Sequence, residues 1–241
     1  MTRLDGGFWS RYFETIFVPQ LNVFCDAVLT RVLPAFSELE REAEAAADAE
    51  WARLLGLPAG ESDDIDFGHL AEKATEVGFS YHEALAGVRQ AVLNLTVAAL
   101  YHILEQQLLL FHRMQLLHPT EENDTSLINL TEVMNRLLHA GVDLRSLESW
   151  SHIDEVRLIC NAVKHAEGSS SEKLKSMRPE LFIHPDHGDE NGMLLSSPGP
   201  VYLPLAGQDI FLSVDDLEAY RSAIEMFWEE FGRLIRGHGI R

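Results

Sequence analysis

An all-α fold is predicted, a bundle of about six to eight helices with a loop-rich insert before the C-terminal helix. Three observations carry it. Near the N-terminus, Phe8, Trp9, Tyr12, Phe13, Ile16, Phe17, Leu21, Phe24, Val28 and Val32 recur at helical spacing. From Asp66 to His118 nearly every residue suits a helix. Close to the C-terminus, Leu217, Tyr220, Ile224, Phe227, Trp228 and Phe231 define one apolar face.

The elements follow in order. Pro19 falls inside the first helical pattern and predicts a kink or break there. Ala35 to Leu57 continues as helix until the Gly56–Gly60 region stops it, and Ser62-Asp63-Asp64 offers the next start. Gly78 or Gly87 is the expected interruption of the long run that follows, since one unbroken helix would span roughly 80 Å. Its most apolar part, Ala91–Phe111, is broken by polar residues and reads as a buried central helix, not a membrane span. Asn123-Asp124 caps a helix from Thr125 to about His139, closed by Gly141. Two more helices are expected, roughly Leu147 to Ala166 and Glu172 to about Met177. The segment from Phe182 to Pro204 carries four prolines and reads as a long loop. Ile210-Phe211-Leu212 is a candidate short strand, and Ser213 caps the last helix, Val214 to about Ile235. Residues 1–60 form an N-terminal helical segment that either packs onto residues 61–241 or stands apart.

A net charge of −19 makes the average surface repel nucleic acid and anionic membrane, without excluding a local basic site. Cys25 and Cys160 lie far apart, without metal-ligand spacing, and both read as buried thiols. A reducing cytoplasm fits, and no secretory signal pattern opens the chain.

Chemistry concentrates between Asp154 and Gly168. Arg157, Asn161 and His165 recur at i, i+4 and i+8, which puts them on one side of a helix. An arginine can clamp a phosphate through paired N–H donors. An imidazole titrates near neutrality and serves as general acid or base. Asn161 can hold a hydroxyl, a phosphate oxygen or the imidazole, and Lys164 adds positive charge as a substrate contact. Together they suit metal-independent phosphodiester cleavage, with the ribose 2′-hydroxyl attacking phosphorus. The plainer reading has Arg157 paired with Asp154 or another acid, His165 capping the last turn and Asn161 facing solvent.

The segment Glu155-Val156-Arg157-Leu158-Ile159-Cys160-Asn161-Ala162-Val163-Lys164-His165 resembles the signature helix of the HEPN superfamily. Those are helical-bundle proteins, many of them ribonucleases of toxin–antitoxin and phage-defence systems. Their motif pairs an arginine, commonly followed by a polar residue, with a downstream histidine. Asn161 and His165 match, whereas Cys160 stands where the arginine is expected and Arg157 lies one turn earlier. The resemblance covers roughly Asp66 to the C-terminus. It implies a homodimer with motif helices face to face, RNA as target, no cofactor, and Arg157, Asn161 and His165 as catalytic residues.

Glu105 interrupts the apolar central helix, where Arg157 or His165 could partner it. His102-x-x-Glu105 reverses the order used in di-iron bundles and has no second copy. His184 to Glu190 has metal-ligand residue types but reads as a solvated loop. Nucleotide-binding glycine loops and zinc-protease motifs are absent from the sequence. Two functions follow: a HEPN-like endoribonuclease in the cytoplasm, or a catalytically silent helical module that binds a basic protein partner, such as a cognate toxin or nuclease.

Overall fold

The computed structural model describes residues 5–57, 66–121, 123–185 and 198–237. Among them are eight α-helices and no strand. They are α1 (Gly6–Tyr12), α2 (Val18–Ala27), α3 (Leu39–Leu55), α4 (Phe67–Phe111), α5 (Leu130–His139), α6 (Trp150–His165), α7 (Ser169–Met177) and α8 (Val214–Gly237). The all-α architecture is as the sequence predicts.

The first helical stretch survives its proline by widening. Phe13–Phe17 is a π-helical turn, and the Val18 N–H reaches back to the Phe13 carbonyl. Pro19 then falls in the first turn of α2, where a missing N–H costs least. A second π-turn, Val28–Val32, and a 3-10 turn, Leu33–Phe36, lead toward α3.

No glycine breaks α4, which runs unbroken for 45 residues, roughly 67 Å. Its glycines serve close approach instead. A Cβ on Gly78 would come within 2.9 Å of the Ala43 carbonyl and the Ala47 methyl, so α3 and α4 meet through small residues. Gly207 has φ +76 and lies against Gly87, seating the chain before α8 directly on α4.

The core forms around the second half of α4. Leu93, Val97, Leu100, Leu104, Leu108 and Phe111 are all buried. Helices α6 and α8 pack on this half, and α1 packs on α8. An aromatic cluster joins them: ring centroids lie 4.8 Å apart for Trp9 and Phe111, 4.6 Å for Phe13 and Trp228, and 5.3 Å for Phe111 and Phe231. Thus the aromatic face of the first segment packs into the same core as residues beyond 61, rather than standing apart. By length and composition alone, the helical stretches Gly6–Leu55 and Phe67–Leu116 each hold a window apolar enough to cross a bilayer.

Several boundaries differ from expectation. Asp124 caps only a 3-10 turn, Thr125–Leu127, and Asn129 caps α5 by accepting from the Glu132 N–H. Ile210–Leu212 has no ladder partner. Its Ile210 and Leu212 carbonyls accept from the side-chain amides of Asn94 and Gln90 on α4. Ser62-Asp63-Asp64 lies outside the described residues, and Asp66 caps α4 by accepting from the His69 N–H.

Two buried polar locks hold α6. At its N-terminus, Glu230 accepts from the Ser149 amide and hydroxyl at 3.2 and 2.7 Å, placing negative charge at the positive helix end. At the exit of α7, Arg178 donates to Glu155 at 2.5 Å and to Asp216 at 2.9 Å, while Tyr220 donates to Glu155 at 2.6 Å. Burial and the Glu155 carboxylate push the Tyr220 phenol up.

Replacing Phe13 by alanine is expected to cost about 3–5 kcal/mol in urea denaturation, as large core truncations do. Helicity and tryptophan fluorescence should lose their signal in one coincident transition, because residue 13 and α8 share one core.

Candidate functional site

Helix α6 presents one face to α4 and another outward. Ile153, Val156, Cys160 and Val163 are buried, whereas Lys164 and His165 are exposed. The helix stops after His165 because Ala166 adopts φ 58 and ψ −123, a sparsely populated conformation for a residue with a side chain.

The expected stripe does not close into one site within the chain. Arg157 donates through Nε and Nη2 to a single Asp154 oxygen, at 2.9 and 2.7 Å. Lys173 of α7 donates to the other Asp154 oxygen at 2.9 Å. Burial alone would raise the Asp154 carboxyl, but the hydrogen bonds from Lys173 and Arg157 outweigh it and hold the group below its ordinary value. Asn161 donates to the Ser170 hydroxyl at 3.4 Å. His165 lies eight residues beyond Arg157, roughly 12 Å along the helix axis. So Arg157 turns back toward Asp154, and the paired arginine and imidazole that cleavage needs are not brought together.

Cys160 explains why the motif departs from the pattern. Its position is 2% exposed and faces α4, where Sγ lies 3.4 Å from His102 Nε2. An arginine placed there would enter the packed interface between α4 and α6. Glu105 lies on the same side of α4, and its carboxylate is 3.3 Å from His102 Nδ1. Neither Arg157 nor His165 hydrogen-bonds Glu105 among the described residues; the imidazole that it meets is His102.

Cys160, His102 and Glu105 therefore form a thiol–imidazole–carboxylate chain across α4 and α6. The order of residue types is that of a cysteine nucleophile with its base and orienting acid. Its electrostatics are opposite to a nucleophile's. Burial pushes the Cys160 thiol up and outweighs the opposing pull of Lys164, and the Glu105 charge adds a smaller upward push. The contacts of His102 with Cys160 on one ring nitrogen and Glu105 on the other couple α4 to α6. Spacing along the sequence could not reveal it, since 58 positions separate the two partners.

Among the described residues no group of three or more His, Cys, Asp or Glu side chains is placed to hold a metal ion. Most of the His184–Glu190 loop lies outside the described residues. Arg157, Asp154 and Glu105 open instead onto a cleft of about 510 Å³ between α4, α5 and α6. No family model matches the chain, and no curated protein or solved structure matches it either.

Asp154 gives a pH signature. Its folded value is depressed, so the stability it contributes is present above the ordinary aspartate value of about 4 and disappears as pH falls through the folded value. Asp154→Asn should lower stability at pH 7 by up to about 1 kcal/mol, as for other half-exposed pairs. That difference should shrink toward zero in acid unfolding once pH falls below the depressed folded value, where both proteins are uncharged at this site. An undiminished difference would show that charge is not the cause.

Proposed function

We propose that this chain is a HEPN-like helical interaction module that docks a helix of a basic protein partner along the face of α4 that runs from Val77 to Leu95. One observation carries the reading. Val77, Tyr81, Val88 and Leu95 stand at i, i+4, i+11 and i+18, one face of α4, and each is 40–49% exposed. A run of apolar side chains over several turns is the pattern into which another amphipathic helix inserts. A surface of net charge −19 favours a basic partner. The tie between Arg157 and Asp154 supports the same reading, because it withdraws the phosphate clamp that cleavage requires.

A second reading, metal-independent RNA cleavage in a cleft built by two copies of the chain, is favoured by His165. That imidazole is exposed next to Lys164, with no hydrogen-bond partner among the described residues.

A synthetic lysine-flanked peptide with leucines at heptad spacing is expected to bind the protein and gain helicity. Val88→Glu with Leu95→Glu should weaken that binding at least about tenfold, equal to about 1.4 kcal/mol, without loss of fold. Unchanged binding by the double variant would remove the docking surface. Total RNA incubated with the protein without metal should remain intact; cleavage that His165→Ala abolishes would put the second reading in its place.

A further inference from the structure

The cleft between α4, α5 and α6 is walled by apolar groups yet carries polar groups with nothing to bind. Leu104, Leu108, Leu130 and Ile153 line its sides, and the rings of Tyr101 and Trp150 face it. Tyr101 is only 7% exposed, and its hydroxyl has no hydrogen-bond partner among the described residues. The hydroxyl oxygen is still reached by solvent from the cleft, so a ligand entering there can take its hydrogen bond. The indole N–H of Trp150, half-buried on the same cleft, has none among them either.

Charge adds the second half of the argument. Arg145 follows from the 3-10 turn Leu144–Ser146 and lines the cleft. Its backbone N–H donates to Asp143, but its guanidinium makes no ion pair among the described residues. Arg157 uses Nε and Nη2 on Asp154, and that acid is already matched by Lys173. Of the charges that line the cleft, Arg157 and Asp154 are tied to each other and Glu105 faces His102, which leaves the Arg145 guanidinium for a ligand. A volume of about 510 Å³ is that of a small-molecule site.

We infer that this cleft binds a small aromatic anion, with its ring between Tyr101, Trp150 and the leucine wall and its anionic group on the free guanidinium of Arg145. The Tyr101 hydroxyl and the Trp150 N–H supply the remaining hydrogen bonds. The docking face of α4, Val77 to Leu95, shares no residue with the lining of this cleft. Occupancy ties α5 and the 3-10 turn to α4 and α6, so a ligand would stabilise this side of the bundle.

Fluorescence titration with 1-anilinonaphthalene-8-sulfonate tests the assignment, with far-UV circular dichroism confirming each variant's fold. One saturable site is expected, displaced by 1-naphthoate and not by neutral 1-naphthol. Arg145→Gln, which removes no intramolecular ion pair, should weaken the probe about tenfold. Met134→Trp, which fills the cleft, should abolish it. Wild-type affinity in Met134→Trp places the probe elsewhere and overturns the site. Loss in Met134→Trp with full affinity in Arg145→Gln, or equal displacement by the naphthol, overturns recognition of the anion. Val88→Glu with Leu95→Glu should leave the probe bound, which separates this site from the docking face.

Discussion

Burial of one face of α4 is the constraint from which the rest of this protein follows. The residues from Leu93 to Phe111 supply apolar side chains to α1, α6 and α8 together, and every helix that matters for function is set by that contact. Large rings do most of the joining. Trp9 and Phe13 reach Phe111, Trp228 and Phe231, so the beginning and the end of the chain close over the same strip of α4. Area burial of this kind has no directional preference. Direction comes from the polar locks, Glu230 on Ser149 and Arg178 on Glu155 and Asp216, which set where α6 begins and how α7 leaves it.

Once α6 is fixed, its chemistry is fixed too. Cys160 must face α4, because Val156 and Val163 on the same side are buried there. Arg157 and Asn161 then face away from the core: Arg157 donates to Asp154, which also accepts from Lys173 of α7, and Asn161 donates to Ser170 of α7. An arginine tied to a carboxylate is positioned but not free, and its attraction for a phosphate falls by the charge that Asp154 returns. The buried thiol finds an imidazole, and the imidazole finds Glu105. Asp154 with Arg157 and Lys173, and Cys160 with His102 and Glu105, are thus engaged, whereas among the described residues His165, Arg145 and the Tyr101 hydroxyl have no partner.

The two halves of α4 divide the labour. The C-terminal half is core on several sides. Small residues shape the N-terminal half: Gly78 admits α3 to close contact, and the narrow interface leaves Val77, Tyr81 and Val88 uncovered. A two-helix arm joined through glycine and alanine buries little apolar area. Its unburied stripe is therefore available to a further helix, which is the physical basis for reading the protein as a binding module.

The sequence by itself determined the all-α class, the buried central helix and the apolar face of α8, since helical periodicity depends only on which residues are three and four apart. It also placed Asn161, Lys164 and His165 on a helix ending near Gly168. The tertiary structure decided what these residues meet. Pro19 marked a break only until the π-turn before it absorbed the missing hydrogen bond, and Gly78 marked an interruption only until α3 came to rest on it. Glu105 was legible as an acid needing a partner, but not as the partner of His102. Cys160 was legible as the departure from the arginine motif, but not as a group facing α4. Each of these outcomes depends on an interhelical distance, which neither periodicity nor composition encodes.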